Sequence, residues 1–300
     1  MAVSSRLATP RGQMAGSLAA RRRKQISRFL TYIFLSIFGL FFAFPLFWTI
    51  SSSLQTWQEL RSYIPHLLPS VPQWSNYARV FQIVPFHRWM LNSFIIIAIA
   101  VPGAIITGVM VAYSFARFEF PERDVWFIIM LGTMMIPYYV TLIPQYILFF
   151  KLKLVNTYVP LTIGSWLGGG AFNIFLLRQF ILSIPKDLDE AAIMDGAGPF
   201  RILWQVLAPL MRPALTTVAV LGFQSHWNNF FGPFIYLNDA ELFTAAIGVR
   251  YFKIMPMEGN EPKDHLLMAS AAIMTLPVLI LFALAQRYFV SGVVMTGLKV

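Results

Sequence analysis

Residues 178–213 read RQFILSIPKDLDEAAIMDGAGPFRILWQVLAPLMRP, a polar interruption between two apolar segments, and this stretch decides the fold class. Ser183 and Pro185 are typical of a helix start, because proline has a helical φ and lacks only an N–H that would be unpaired there. Negative charge near the start of a helix interacts favourably with the helix dipole. Three carboxylates occupy those positions: Asp187, Asp189 and Glu190.

The second half of this stretch predicts a tight turn and another helix. Gly196 and Gly198 can leave a helix with positive φ, and Pro199 can begin the next one. Apolar residues then recur at helical spacing: Phe200, Leu203, Val206 and Leu207. Two short helices joined by a glycine turn would fit a groove on another protein. An amphipathic helix lying on the membrane interface is the alternative for an insertion of this length.

Outward from this stretch, the chain consists largely of apolar segments. Apolar residues make up 57% of the sequence and aromatic residues 16%, and the mean hydropathy is +0.64. A bilayer core requires roughly 20 apolar residues of helix. Six segments meet this requirement: 29–50, 93–115, 125–149, 155–177, 214–236 and 266–289. We therefore predict an all-α integral membrane protein with six transmembrane helices.

Basic residues predict the orientation of these helices. Seven of the 23 lie in the tail, residues 1–28, directly before the first apolar segment, which we interpret as an uncleaved anchor. With this tail inside, the inner segments carry fifteen basic residues and the outer segments eight, so the positive-inside rule places both termini in the cytoplasm. An Arg-rich leader is also typical of organellar transit peptides. Five further apolar segments favour a multi-pass protein of the bacterial inner membrane.

Several kinds of chemistry are excluded by composition. The chain has no Cys, so disulfides and thiolate sites are impossible. None of the 13 carboxylates falls within a predicted span, and His226 is the one titratable group at that depth, whereas ion-coupled pumps keep charged groups there. A packing role for His226 is favoured over a metal or proton site. The phosphate-binding pattern GxxxxGK[ST] is absent, so we predict no catalytic residues, no metal and no cofactor in this chain.

The order of residues in the polar stretch resembles the EAA motif of ABC importer permeases. Glu190-Ala191-Ala192, two residues, Asp195-Gly196-Ala197, hydrophobic residues, Leu207-Ala208-Pro209 and Pro213 follow the pattern of that family. Asn76-Tyr77, Asn92-Ser93, Trp227-Asn228-Asn229 and Pro233 are similar to its carbohydrate-uptake branch, typified by the maltose-type permeases. The resemblance implies a type I ABC importer permease fold over residues 29–300, with a core at about 88–290 and a cytoplasmic EAA coupling loop at 179–213.

The resemblance also implies partners and a mechanism. The coupling helix, with Glu190, Ala191, Ala192, Asp195, Gly196 and Ala197, would insert into a cleft of the ATPase. The assembly would contain a second, different permease, two ATP-binding subunits that use ATP, and an extracytoplasmic solute-binding protein, all in contact with membrane lipid and with no nucleic acid. In this interpretation the chain forms half of the translocation pathway for a sugar or oligosaccharide and performs no chemistry itself.

Candidate cargo contacts lie in the fifth predicted span. Amides that bind hydroxyl groups and aromatic faces that pack on sugar C–H surfaces are the expected ligands. Our candidates are Trp227, Asn228, Asn229 and Tyr236, with Asn173 beside a possible unwinding at Gly168-Gly169-Gly170. The same amides could instead bond neighbouring helices.

Other functions stay open on the residues alone. A different cargo, such as glycerol phosphate, an amino acid or a polyamine, is the first alternative. Phosphate would require Arg or Lys along the path, and the predicted spans contain only Arg287, near the end of the sixth. A stand-alone channel or a polytopic membrane enzyme is a further alternative, although neither a charged filter nor a positioned base is visible.

Overall fold

Helices make up most of the backbone that the structure describes. In a computed structural model, residues 10–254 and 262–296 are described, and they contain no β-strand. In chain order the helices are α1 (Pro10–Ser53), α2 (Trp57–Leu60), α3 (Ser75–Ile83), α4 (Phe86–Arg117), α5 (Arg123–Gly132), α6 (Tyr138–Lys151), α7 (Val159–Trp166), α8 (Ala171–Ser183), α9 (Asp187–Met194), α10 (Pro199–Arg201), α11 (Ala208–Leu210), α12 (Arg212–Trp227), α13 (Phe231–Tyr236), α14 (Ala245–Ile254) and α15 (Asp264–Thr296).

Four helical segments in the described chain are long and apolar enough to cross a membrane: Lys24–Ser53, Phe86–Arg117, Val159–Ser183 and Asp264–Gln286. Two further pairs of helices qualify if each bent pair counts as one span. The all-helical membrane fold is therefore confirmed, and the count of six crossings stays a prediction.

The third predicted span, 125–149, is not one straight helix. The segments Arg123–Met135 and Tyr138–Lys151 meet at 94°. Ile136 is extended with ψ 115°, as the residue before a proline prefers to be, and Pro137 begins the second segment. Pro144, in contrast, lies inside α6.

The fourth predicted span is interrupted by its glycines, as the sequence indicated. Gly168, Gly169 and Gly170 have φ of 99°, 72° and 89°, so the helix unwinds between α7 and α8. A side chain at Gly169 would collide with the main-chain carbonyl of Ala104 in α4. The unwound segment therefore lies directly against the backbone of α4.

The fifth predicted span, 214–236, also proved discontinuous. Helix α12 ends at Trp227 and α13 begins at Phe231. A continuous helix would need an N–H at position 233 to bond the carbonyl of Asn229, and Pro233 has none. The Asn229 side chain accepts a hydrogen bond from the Gly232 N–H at 3.0 Å instead. This local bond competes with the helix.

Helix α4 is the centre of the fold. It packs against α7, α8, α12 and α14, and its buried residues run along its whole length. One apolar cluster surrounds its carboxyl end and contains Val109, Tyr113, Leu177, Leu203 and Leu207. A second cluster surrounds its amino end and joins it to α3, α14 and α15.

The amino end of α4 is also tied by polar contacts to the segment around residues 240–245. The Trp89 indole donates to the Ala240 carbonyl at 2.7 Å, and the Asn92 amide donates to the Phe243 carbonyl at 2.9 Å. The Ser93 hydroxyl accepts from the Ala245 N–H at 3.0 Å. The Asn92-Ser93 pair that carried part of the family resemblance is therefore structural in this chain.

Helix α1 presents an apolar surface with no protein cover. Phe29, Leu40 and Phe42 are 65%, 74% and 72% exposed. Large contiguous apolar surfaces of this kind mark contact with a membrane or a partner. The predicted anchor therefore carries the surface that a lipid environment requires.

Candidate functional site

The polar stretch 178–213 forms the predicted helix, turn and second helix. Helix α8 continues to Ser183, Ile184 and Pro185 are non-helical, and α9 begins at Asp187. Ser183 is thus the last residue of α8 and not the start of the next helix, a correction to the sequence interpretation. Its hydroxyl donates to the Phe180 carbonyl within α8.

Helix α9 ends in the turn that its glycine predicts. Gly196 has φ 76°, and its N–H bonds the Ile193 carbonyl at 2.9 Å. The Ala197 N–H bonds the Ala192 carbonyl, also at 2.9 Å. These two bonds form a Schellman motif, which satisfies carbonyls at a helix end and favours glycine at the left-handed position. Gly198 has φ −77°, so our expectation of a second left-handed glycine was wrong.

The second helix of the stretch is less regular than predicted. Pro199 occupies its first turn, as expected, but Ile202–Leu207 is a π-helix between α10 and α11. Leu203 and Leu207 are buried, whereas Phe200 is 67% exposed. The chain then bends by 82° at Met211 into α12. A π-helical turn cannot be distinguished from an α-helical one by the spacing of four apolar residues.

The EAA residues lie at an exposed tip. Glu190, Ala191, Asp195 and Gly196 are exposed, and Ala192 and Ala197 are half-buried against the cluster at the carboxyl end of α4. Sequence reasoning missed the apolar character of this tip. Ile193 and Met194 are 59% and 87% exposed, and with Phe200 they form what we call the apolar tip. The sequence signal for it was the presence of these apolar residues within a polar stretch.

An ion pair that the sequence did not predict joins α9 to α4. Arg117 is the last residue of α4 and contacts the Asp189 carboxylate through its Nε. The two side chains are 6% and 11% exposed. Arg117 also donates from Nη2 to the Ile184 carbonyl at 2.9 Å. Asp189 and Ala192 are three residues apart and share a helix face, so the inward packing of Ala192 indicates which carboxylate turns inward.

A second, half-buried arginine lies nearby on α8. Arg178 donates from Nε to the Phe115 carbonyl at 3.2 Å, and its guanidinium lies 4.2 Å from the centre of the Phe127 ring. Its polar and cation–π contacts therefore join α8 to α4 and α5.

Trp227, the first candidate cargo contact, is enclosed by protein in this conformation. Its side chain is fully buried, and its indole N–H donates to the Met274 carbonyl at 3.0 Å. The ring packs on Phe223 and Phe94 at centroid distances of 5.5 and 4.9 Å. A cargo contact by Trp227 therefore requires a different arrangement of α12 and α15.

The two asparagines after Trp227 differ from each other. Asn228 is exposed, whereas Asn229 is half-buried and bonds the start of α13 through Gly232. Asn228 therefore has the freer amide of the two. Both lie in the break between α12 and α13, where a helix interruption at membrane depth is tolerated if it faces protein or water.

Tyr236 and Asn173 lie on separate elements. The Tyr236 ring is 2% exposed and packs on Tyr146 and Phe149, and its hydroxyl has no hydrogen-bond partner among the described residues. Asn173 donates to the Gly169 carbonyl at 2.7 Å and so provides a hydrogen-bond partner for a main-chain carbonyl in the unwound segment. Within the described chain no hydrogen bond joins Asn173 to the other four candidates, and their grouping as cargo contacts stays a prediction.

His226 is half-buried near the end of α12. In the described ranges, 10–254 and 262–296, no group of three His, Asp or Glu side chains is placed to hold a metal ion.

Comparison with known proteins provides an independent view of the chain. The family described as "Binding-protein-dependent transport system inner membrane component" matches residues 85–294. The arabinooligosaccharides transport system permease protein AraQ of Bacillus subtilis (strain 168) is 30% identical over 91% of this chain and 96% of its own length. The sn-glycerol-3-phosphate transport system permease protein UgpE of Brucella abortus (strain 2308) is 32% identical over 91% and 98%.

A solved structure has the same fold. It is the crystal structure of a bacterial ABC transporter involved in the import of the acidic polysaccharide alginate, and the matched chain has a TM-score of 0.77 and 26% sequence identity. The match covers 89% of this chain and 98% of that chain. The similarity therefore extends over the spans and the polar stretch together.

Proposed function

The chain belongs to the family of binding-protein-dependent transport system inner membrane components, and from this premise we propose that it forms half of the pathway of an ATP-driven carbohydrate importer. It is a transporter permease and not an enzyme. Two ATPase subunits hydrolyse ATP, a second and different permease completes the pathway, and an extracytoplasmic solute-binding protein delivers the cargo. Both termini lie on the cytoplasmic side of the bacterial inner membrane, in agreement with the basic tail.

One observation carries the coupling role. Helix α9 projects from the membrane-embedded helices, ends in a Schellman turn at Gly196, and exposes the apolar tip residues Ile193, Met194 and Phe200. An exposed apolar surface on a rigid turn is the kind of element that inserts into a groove on a partner. We propose that this element contacts the ATPase. It consists of Glu190, Ala191, Ala192, Asp195, Gly196 and Ala197.

Two relatives support a carbohydrate cargo. The Bacillus subtilis relative is named for arabinooligosaccharides, and the solved structure belongs to an importer of alginate. Neutral hydrogen-bonding groups and aromatic rings, which suit sugars, lie in and beside the break between α12 and α13. Asn228, Asn229 and, on α8, Asn173 are the candidate contacts in this conformation, whereas the buried rings of Trp227 and Tyr236 are reached only after rearrangement.

A phosphorylated cargo is the second candidate. The Brucella abortus relative is named for sn-glycerol-3-phosphate and is 32% identical. An anionic cargo needs cationic partners on its route. Of the two arginines described above, Arg117 is neutralised by Asp189 and Arg178 lies over Phe127. Neither is a free phosphate ligand in this conformation, which favours the carbohydrate.

The test is purification of the tagged chain in mild detergent, followed by identification of its partners and an ATPase assay. An ATPase subunit and a second permease that co-purify, with uptake of an arabino-oligosaccharide by reconstituted vesicles, are the expected result. Uptake of sn-glycerol-3-phosphate, without uptake of the arabino-oligosaccharide, would show that the cargo is the second candidate. A chain that purifies without partners and whose transport ignores ATP would overturn the proposal.

A further inference from the structure

Arg117 lies where three segments meet. It ends α4, it donates to the carbonyl of Ile184 directly after α8, and it pairs with Asp189 in the first turn of α9. Neither oxygen of Asp189 has a hydrogen-bond partner in the described chain, so the ionic contact with Arg117 is what balances its charge. One guanidinium thus holds both ends of the connection between α8 and α9.

The burial of this pair shows that it is more than a surface contact. A carboxylate removed from water requires an opposite charge, and loss of one partner leaves an uncompensated buried charge. The other contacts that hold α9 are weak, because Ala192 is a half-buried alanine and, apart from Asp189, the remaining side chains of α9 are exposed. The ion pair is the main fastening between α9 and the helix that crosses the membrane.

Helix α4 is suited to carry a movement from α9 into the pathway. It is 32 residues long, contacts the unwound segment at Gly169 through Ala104, and holds residues 240–245 through Trp89 and Asn92 at its far end. Because α4 is one continuous helix, a displacement at Arg117 would also move its contacts with the unwound segment at Gly169 and with residues 240–245 at its amino end.

We propose that Arg117 and Asp189 are positioning residues that lock α9 to the end of α4, so that movement of the apolar tip is transmitted to α4. This inference rests on the proposed function, in which α9 is the element that engages the ATPase. The pair itself does not touch the ATPase or the cargo. It converts docking of α9 into displacement of α4.

The experiment measures cargo taken up per ATP hydrolysed by the complete reconstituted complex. Asp189→Asn removes the buried charge, and its control is Asp187→Asn, an exposed carboxylate in the same helical turn. Arg117→Gln is paired with Arg178→Gln, which removes a half-buried guanidinium that contacts α4. Asp189→Glu restores the charge.

We expect Asp189→Asn and Arg117→Gln to lower this ratio about tenfold, a typical size for coupling between sites. The controls stay within about twofold of wild type, as exposed or uninvolved positions do. Asp189→Glu recovers the ratio. An unchanged ratio in Asp189→Asn, or equal losses in Asp187→Asn, would overturn the inference. So would reduced co-purification of the ATPase with an unchanged ratio, since the pair would then serve assembly alone.

A second measurement leaves the pair intact and decides the matter if the substituted chains do not fold. The sequence has no Cys, so this chain can be spin-labelled at Glu119→Cys and Asp187→Cys alone and then assembled with its partners. If α9 and the end of α4 move together, the mean distance between the two labels is the same with and without ATP. A change in this distance larger than the width of its distribution would overturn the inference. A wild-type complex without ATP-driven uptake would refute the proposed function instead, before any variant is compared.

Discussion

The indole N–H of Trp227 donates to the main-chain carbonyl of Met274 at 3.0 Å and so ties the end of α12 to α15. Trp227 is therefore held inside the protein, whereas the side chain of its neighbour Asn228 is exposed. Two adjacent residues that the sequence grouped as cargo contacts therefore have different surroundings. The difference leads to opposite expectations for their substitution.

Trp227→Ala is expected to destabilise the chain. Removal of a fully buried tryptophan costs about 3–5 kcal/mol, and Trp227→Phe costs less because the ring contacts with Phe223 and Phe94 persist. Thermal unfolding of the purified complex measures both. Unchanged unfolding of Trp227→Ala together with altered cargo affinity would show that Trp227 faces the pathway.

Asn228→Leu is expected to weaken cargo binding while unfolding stays at the wild-type temperature. Loss of one amide contact lowers affinity by about tenfold, which corresponds to roughly 1.4 kcal/mol. The matched change Asn229→Leu should also lower the unfolding temperature, because Asn229 accepts from the Gly232 N–H. Equal stability losses in both variants would assign Asn228 to packing.

Gly196→Val is expected to abolish coupling while the chain stays in the membrane. There is open space around Gly196, so the cost comes from φ 76°, which a β-branched residue resists. Gly198→Val is the control, because Gly198 also has open space and has φ −77°. ATP-driven uptake should be lost in the first variant and kept in the second. Normal uptake by Gly196→Val would contradict the coupling role of the turn.

Gly169→Ala and Gly170→Ala test the unwound segment. Both glycines have positive φ, but an added Cβ meets the Ala104 backbone only at Gly169. We therefore expect Gly169→Ala to lower the unfolding temperature more than Gly170→Ala. Equal effects would mean that the contact between this segment and α4 is not tight.

Glu59 provides a pH-dependent contact in the segment between α1 and α3. The Thr56 main-chain N–H donates to its carboxylate and, with the Ser70 N–H, holds the pKa of Glu59 below its ordinary value of 4.5. The charged form is therefore stabilised by folding, and this contribution is present above pH 4.5 and lost as the pH falls through the lowered pKa. At each pH, pepsin cleavage of residues 61–74 in vesicles is compared between wild type and Glu59→Gln. Just above pH 4.5 the variant should be cleaved faster, and the two rates should converge as the pH falls through the lowered pKa. A cleavage rate that is the same for both would contradict the contact.

Much of the fold followed from the sequence because it depends on local rules. Lengths of apolar residues located the spans, and Gly196 and Pro199 located the turn and the second helix. The breaks at Pro137 and at the three glycines also arise from local backbone chemistry. The interruption at residues 228–230 was visible only in retrospect, since Pro233 acts there through the missing partner of Asn229.

Long-range contacts could not be predicted in the same way. Asp189 is one of three acidic residues in the first turn of α9, and its residue type does not distinguish it from Asp187. Its partner Arg117 lies 72 positions earlier and was counted only as a loop charge. Likewise, the burial of Trp227 depends on Met274 in another helix. Candidate residues were thus identified by type, whereas their orientation required the structure.

The most direct test of the central claim is a cross-link from the apolar tip to the ATPase. The sequence lacks Cys and Met194 is 87% exposed, so Met194→Cys gives one reactive thiol at the end of α9. In the assembled complex we predict a cross-link to the ATPase subunit, and protection of this thiol from a soluble maleimide. Equal maleimide labelling with and without the ATPase, and no cross-link, would contradict the claim that α9 couples this chain to ATP hydrolysis.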